Sequence, residues 1–253
     1  MWPDVWAALP PVWLILGGFL IAGTVKGIAG VGLPMTALGI LTLETDPRTA
    51  IALSMAPILL ANLWQFLNAG GAVAAIRRYL PFLVVMVVGI PLTIALTAGA
   101  SEATLFGALG AMFLFHVALT ATRWAPRIPD AADTPAQIGF GAAAGVLGGL
   151  VSLWLPAIVI YLGARNVSKD EFVRATGLLL FAGSLPLVAG YWREGFLTGP
   201  LAAASALMLV PTLLGMTLGA KVRGRLSEAA FKQILLVVFV VIGLNLIRRA
   251  ITG

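Results

Sequence analysis

"GTVKGIAGVGLP", residues 23–34, holds four glycines, a lysine and a proline inside an otherwise apolar run. Apolar runs of this length are typical of helices that lie in a lipid bilayer, where a buried charge is costly. Glycine and proline weaken a helix, so the stretch predicts a membrane helix that is interrupted near residues 27–32. Lys26 stands directly before that interruption, which suggests that its charge serves a function.

The rest of the chain has the composition of a membrane protein. Of its 253 residues, 60% are hydrophobic and 10% charged, against roughly 25% charged in soluble domains. Long stretches without Lys, Arg, Asp or Glu approach the roughly 20 residues that a helix needs to cross a bilayer. The sequence therefore predicts an all-α polytopic membrane protein in contact with the lipid bilayer. We assign its apolar segments to residues 11–43, 49–68, 79–98, 103–122, 137–163, 172–191, 196–219 and 231–248, and we expect the segment 137–163 to be interrupted near residues 145–152.

Several kinds of chemistry lack the residues they need. The chain has no cysteine and a single histidine, His116, so we expect no metal site and no cofactor. The formal charge of +6 comes from basic residues that lie between the apolar segments. We attribute this charge to membrane topology and expect no nucleic-acid partner. No catalytic acid or activated nucleophile stands out, so we expect no enzyme.

The two halves of the chain resemble each other. A shift of 122 residues aligns residues 23–34 with "GVLGGLVSLWLP", residues 145–156, without a gap. The alignment pairs Gly23 with Gly145, Gly27 with Gly149, Leu33 with Leu155, and Pro34 with Pro156. This pattern predicts one repeat over residues 1–122, a second over 137–253, and a cytoplasmic linker over 123–136.

The basic residues indicate how each interrupted segment meets the membrane. If each segment crosses once, seven basic residues lie on one side and eight on the other, so there is no bias. If each folds back, eleven lie on one side, and the other keeps only Arg48, Arg193, Arg248 and Arg249. The positive-inside rule favours the second arrangement. It predicts two inverted-topology repeats, each starting with a broken helix, hairpin or re-entrant, and it leaves both termini outside.

The interruptions predict a site for an anion. A helix that resumes after a break offers free N–H groups and the positive end of its dipole, and a proline near its start loses no bond. Two such ends brought together, with Lys26 supplying charge, would bind a small anionic substrate. The alternative for Lys26 is that it extends to a membrane interface. The predicted substrate-binding residues at the interruptions are Lys26, Gly30, Val31, Gly32, Pro34, Ser152, Leu153, Trp154 and Pro156.

Polar side chains elsewhere in the apolar segments are few. Asn62 and Gln65 share one helix face and are further candidates for substrate binding, with interhelical hydrogen bonds as the alternative. His116 is a candidate for proton-linked transport, with a helix–helix hydrogen bond as the alternative. Arg174 is expected to pair with Asp170 or Glu171 at a segment boundary.

The sequence resembles the TauE/SafE family of sulfite and organosulfur-acid exporters over essentially its whole length. The resemblance is carried by "KGIAGVGLPMTALGIL" and "GVLGGLVSLWLPAIVIYLG", each followed by a similar segment, "DPRTAIALSMAPILLANLWQ" and "SKDEFVRATGLLLF". The second interruption departs from the family pattern because Ser152, Leu153 and Trp154 stand where glycine is usual. The resemblance implies export of sulfite or an organosulfonate across the cytoplasmic (inner) membrane of a bacterium.

These observations predict a transporter that exports a small anion by alternating access at paired broken helices. An anion channel and a transporter of a small carboxylate are the alternatives. The predicted partners are the small anionic substrate and the lipid bilayer, and self-association into a homo-oligomer is left open. The coupling ion is left open as well.

Overall fold

A computed structural model describes residues 9–122, 127–225 and 227–252. The described residues form α-helices and short 3₁₀ turns, without strands. The prediction of an all-α chain is therefore confirmed for these residues. We predicted that both termini lie outside the membrane, but residues 1–8 and 253 are not among the described residues. The same holds for residues 123–126 of the predicted linker. The helices are α1 Val12–Ala29, α2 Leu33–Leu41, α3 Pro47–Ala69, α4 Ala72–Arg78, α5 Leu80–Leu96, α6 Glu102–Thr122, α7 Asp133–Val151, α8 Leu155–Ala164, α9 Lys169–Arg193, α10 Gly199–Leu207, α11 Leu209–Val222 and α12 Glu228–Thr252.

Within the described ranges, seven helical segments are long and apolar enough to cross a membrane. An eighth is counted if α4 and α5, which are bent by 80° relative to each other, form one span. The helix α4 was not predicted, because its residues lie between two assigned apolar segments. The seven are Val12–Ala29, Pro47–Ala69, Glu102–Thr122, Asp130–Val151, Lys169–Arg193, Gly199–Val222 and Ala230–Thr252.

Large apolar side chains cover the outside of these helices. On α5, the exposed residues Val84, Val88 and Leu92 follow one another at intervals of four and form a stripe along one face. A soluble protein rarely exposes apolar surface on this scale. The stripe fits contact with lipid, and the chain is a multi-pass membrane protein.

The described chain packs into two compact units that cross the sequence halves. Unit 1 comprises Met1–Ile58, Ala100–Ala121 and Phe196–Gly253, and unit 2 comprises Leu59–Gly99 and Thr122–Gly195. Each unit therefore contains segments of both predicted repeats. The two predicted repeats are successive parts of the sequence and differ from these units, so the division into repeats stays a prediction.

Unit 1 is built on the contact between α1 and α11. Gly23 and Gly27 of α1 face Gly215 and Gly219 of α11, and a methyl group on any of these four would collide with the backbone of the other helix. Small residues four apart allow membrane helices to approach this closely. The contact fixes the part of α1 that leads into the interruption.

Unit 2 contains a similar contact between α5 and α7. Gly89 faces Gly145, and a Cβ atom on Gly145 would lie 2.9 Å from the Cα atom of Gly89. One turn further along α7, a Cβ atom on Gly149 would lie 2.5 Å from the carbonyl oxygen of Ile90. Gly145 and Gly149 are the residues that the sequence alignment pairs with Gly23 and Gly27.

A serine from α10 donates a hydrogen bond to a carbonyl group that Pro57 leaves without a partner inside α3. Pro57 has no N–H group, so the carbonyl of Leu53 loses its partner four residues on. The Ser205 hydroxyl donates to that carbonyl oxygen at 2.8 Å and accepts from the N–H group of Ala56 at 2.9 Å. This buried side chain thereby joins α10 to α3 within unit 1.

Candidate functional site

The first interruption, predicted near residues 27–32, is a turn of three residues, 30–32, which we call the glycine turn. The helix α1 ends at Ala29 and α2 begins at Leu33. Gly30 has φ 78° and Gly32 has φ 98°, conformations that glycine adopts without steric cost. The N–H group of Gly30 donates to the carbonyl oxygen of Lys26 at 2.7 Å and closes the end of α1.

The helix that follows begins with unsatisfied donors. Among the described residues, none accepts a hydrogen bond from the N–H groups of Val31, Gly32, Leu33 or Met35. Pro34 lies in the first turn of α2, where its missing N–H group removes no helical bond. Free N–H groups and the helix dipole give this end of α2 a positive potential.

Lys26 lies in the last turn of α1, directly before the glycine turn. The residue is only 5% exposed, so protein encloses its side chain. This burial leaves little of the side chain available to extend to a membrane surface. A buried ammonium group adds positive charge next to the free N–H groups of α2.

Arg223 is a residue of the site that the sequence reasoning missed. Its side chain donates from Nε to the carbonyl oxygen of Ile28 at 2.7 Å and from Nη2 to that of Gly27 at 2.9 Å. These carbonyls belong to the last turn of α1, whose acceptors have no helical partner and carry the negative end of the dipole. In the sequence, Arg223 is one of the eleven basic residues that the hairpin arrangement places on one side of the membrane.

The second interruption, predicted near residues 145–152, lies at residues 152–154, a turn that we call the serine turn, and residues 145–151 belong to α7. The helix α7 ends at Val151 and α8 begins at Leu155, each 122 residues after the corresponding boundary of the glycine turn. Ser152 has φ 59°, a left-handed conformation, and stands 122 residues after Gly30. Its N–H group donates to the carbonyl oxygen of Gly148 at 3.0 Å.

The serine turn also presents free donors. Ser152 is 1% exposed, and its hydroxyl oxygen has no hydrogen-bond partner among the described residues. None of the residues that the structure describes accepts a hydrogen bond from the N–H groups of Trp154, Leu155 or Ala157. The N–H group of Leu153 is used, since it donates to the carbonyl oxygen of Leu147 at 3.4 Å. Pro156 lies in the first turn of α8, as Pro34 does in α2.

The side chain of Trp154 belongs to the core of unit 2. It is 2% exposed, and its ring nitrogen donates to the carbonyl oxygen of Leu179 at 3.3 Å. A Cβ atom on Gly148 would lie 3.3 Å from the indole ring, and one on Gly183 would lie 2.8 Å from it. The indole therefore occupies the space that these two glycines leave, and it fixes the serine turn to α7 and α9.

Asn62 and Gln65 lie between α3 and α9 in unit 2. The Asn62 side chain donates to the hydroxyl oxygen of Ser184 at 3.2 Å, and that of Gln65 donates to the hydroxyl oxygen of Thr176 at 3.3 Å. These are interhelical bonds of the kind considered as the alternative to substrate binding. A role for the two amides in substrate binding stays a prediction.

His116 lies half-buried on α6 in unit 1. Its ring centre is 6.0 Å from that of Phe239, in an edge-to-face arrangement. The Nδ1 atom is buried without a hydrogen-bond partner among the described residues. The proposed role in proton-linked transport is a prediction that these contacts do not test.

Several charged residues near the ends of α8 and α9 are paired. Arg174 lies 3.1 Å from a carboxylate oxygen of Glu171, one of its two expected partners. Glu171 also accepts a hydrogen bond from the hydroxyl of Tyr79 at 2.8 Å. Arg165 donates to Asp130 at 2.6 Å, and this bond raises the pKa of the arginine. Paired charges at helix ends leave the apolar spans free for the membrane.

The predicted site residues thus fall into separate groups. Lys26, Gly30, Val31, Gly32 and Pro34 lie together at the glycine turn in unit 1. The second group, Ser152, Leu153, Trp154 and Pro156, lies at the serine turn in unit 2. Because the two turns belong to different units, the expected meeting of the two helix ends stays a prediction.

The fold and the two turns define a class of protein, a multi-pass helical membrane protein with free helix ends next to buried polar groups. The family model described as "Sulfite exporter TauE/SafE" matches residues 14–246. The chain belongs to the TauE/SafE sulfite exporter family. Members are membrane transporters of sulfite and organosulfur anions, so this chain is a transporter and not an enzyme. No match was found among curated proteins or among solved structures.

Proposed function

We propose that this chain exports sulfite or a closely related organosulfonate across the bacterial cytoplasmic membrane. The observation that carries the proposal is the glycine turn. There a helix begins with four free N–H groups, and a buried lysine lies in the last turn of the helix before it. Donors and positive charge in one place suit the oxygens of a small anion.

The N–H groups of the glycine turn would bind oxygens of the anion, and Lys26 would balance its charge. In the serine turn, the free N–H groups of Trp154 and Leu155 and the hydroxyl of Ser152 would act in the same way. Asn62, Gln65 and His116 are proposed as further contributors along the substrate path. Lys26, Asn62 and Ser152 are buried, which supports their roles because hydrogen bonds to a charged group strengthen away from water.

We propose that each turn interrupts an element that enters and leaves the membrane on the same side. Contacts along α1 and α2 support this. A Cβ atom on Gly18 would lie 3.1 Å from a methyl group of Ile40, and one on Gly32 would lie 3.1 Å from a methyl group of Val25. In unit 2, the rings of Phe140 on α7 and Tyr161 on α8 have centres 5.9 Å apart. Residues before and after each turn thus pair as they would in a hairpin.

Transport would occur by alternating access in two repeats of inverted topology. The equal spacing of helix ends supports the repeat. The starts of α2 and α8 are 122 residues apart, and so are those of α3 and α9. An inverted pair of hairpins would also leave both termini outside, in line with the distribution of basic residues.

Counterflow in proteoliposomes tests the proposed function. Vesicles that contain the purified full-length chain and are preloaded with unlabelled sulfite should take up labelled sulfite faster than vesicles without internal sulfite, and the uptake should saturate. Single-channel currents without counterflow would contradict the transporter and indicate an anion channel. Stronger counterflow with a small carboxylate than with sulfite or sulfonates would contradict the proposed substrate class.

A further inference from the structure

The hydroxyl of Thr36 has no assigned role, and its environment is unusual. Thr36 is the fourth residue of α2 and is 6% exposed. Of the buried hydroxyl oxygens in the described chain, those of Thr36 and Ser152 lack a hydrogen-bond partner. A buried hydroxyl without a partner destabilises a protein, so its presence calls for an explanation.

Other buried or half-buried helical threonines of unit 1 show how such a hydroxyl is normally satisfied. Thr24 donates to the carbonyl oxygen of Leu20 at 2.8 Å, and Thr212 donates to that of Met208 at 2.7 Å. Each acceptor lies four residues earlier in the chain, the usual arrangement for threonine in a membrane helix. The corresponding acceptor for Thr36 is Gly32, whose carbonyl oxygen accepts only the N–H group of Thr36, at 3.0 Å.

The position of Thr36 places its side chain over the first turn of α2, next to the glycine turn. Side chains on an α-helix lean towards its N-terminus, so a residue in the fourth position covers the turn that precedes it. That turn holds the free N–H groups of Leu33 and Met35. The unpaired hydroxyl and the unpaired backbone donors therefore belong to the same end of α2.

We propose that Thr36 binds the transported oxyanion, its Oγ1 donating a hydrogen bond to an oxygen that the N–H groups at the start of α2 also contact. The inference rests on the proposed function and adds to it a residue that selects for oxyanions. Without the anion the hydroxyl stays unpaired, and with the anion it gains its partner.

Three variants of the full-length chain test this inference with sulfite as the ligand. Thr36→Val keeps the shape and removes the hydroxyl, Thr36→Ser keeps the hydroxyl, and Thr212→Val removes a hydroxyl that is already paired. We expect Thr36→Val to bind sulfite at least tenfold more weakly than the unchanged chain. We expect Thr36→Ser to stay within threefold of it, and Thr212→Val to leave the affinity unchanged.

The ligand-free unfolding temperature separates binding from a structural role. Thr36→Val should unfold at the same or a higher temperature than the unchanged chain, because it removes an unsatisfied buried group. A lower unfolding temperature would overturn the inference, since the hydroxyl would then have a structural partner. Unchanged sulfite affinity in Thr36→Val would overturn it as well, while the proposed function would stand. If the unchanged chain neither binds nor transports sulfite, the proposed function fails and the inference fails with it.

Discussion

Arg223 shows how one side chain can hold the end of a membrane helix. Its guanidinium group satisfies two carbonyls of the last turn of α1 and carries a positive charge at the negative end of the helix dipole. The same turn of helix carries Lys26. Arg223 is therefore expected to position the turn of α1 that carries Lys26.

Replacement of Arg223 by glutamine should destabilise the chain by about 1 kcal/mol, because the last turn of α1 loses two charge-assisted hydrogen bonds. Thermal unfolding in detergent measures the effect. Lysine at this position should restore only part of the loss, since it lacks the fork of donors that reaches both carbonyls. The matched control is Lys221→Gln at an exposed position nearby. An unchanged stability in Arg223→Gln would contradict the capping role.

Residues of the candidate site were predictable from the sequence where their backbone conformation determines where a helix ends. The glycines of residues 23–34 predicted an interruption, and Gly30 and Gly32 adopt the left-handed conformations that end one helix before the next begins. Gly27 was grouped with them, although it lies inside α1 and serves helix packing. Arg223 and Thr36 were not predicted. The hydrogen bonds of Arg223 to α1 and the lack of a partner for the Thr36 hydroxyl among the described residues can be seen only in the folded chain.

At the scale of elements, glycine contacts fix which helices pair. Replacement of Gly215 by alanine should destabilise the chain by about 1–3 kcal/mol, because the added methyl group would collide with the carbonyl oxygen of Leu20 on α1. Gly17→Ala is the matched control, since a Cβ atom there meets nothing within 4 Å. The control should be neutral or gain up to about 1 kcal/mol. Equal unfolding temperatures for the two variants would contradict this account of the contact.

The link between Ser205 and the proline in α3 predicts a coupling. Ser205→Ala should cost about 1–3 kcal/mol, since the carbonyl of Leu53 is left without a donor. In a Pro57→Ala background the backbone N–H group of residue 57 can take over, so the same change should cost less. Unfolding temperatures of the four variants form a double-mutant cycle. Additive effects would show that the serine does not replace the missing helical bond.

At the scale of the whole molecule, the membrane topology can be tested with introduced cysteines, because the chain has none of its own. A membrane-impermeant maleimide applied to intact cells should label Ser101→Cys. It should label Ala131→Cys and Lys169→Cys only after the cells are opened, because the proposed hairpin keeps both positions inside. Labelling of positions 131 and 169 from opposite sides would contradict the hairpin.

Much of the fold was predictable because a bilayer demands long apolar helices and paired charges near their ends. The helices α3, α6, α9 and α12 begin and end close to the assigned segments. The sequence did not predict which helices belong to each compact unit, because this depends on which glycine-containing helix faces pack against each other. The helix α1 packs against α11 from the other half, and α7 packs against α5. Sequence order alone gives no sign of these pairings.

The affinity of the purified chain for sulfite, measured with and without Lys26, tests the central claim most directly. That claim is that an anion binds where α2 begins, next to a buried ammonium group. Lys26→Ala should weaken sulfite binding at least tenfold, or roughly 1.4 kcal/mol, whereas the exposed control Lys221→Ala should leave it unchanged. Sulfite affinity that is equal in Lys26→Ala and the unchanged chain would contradict the account.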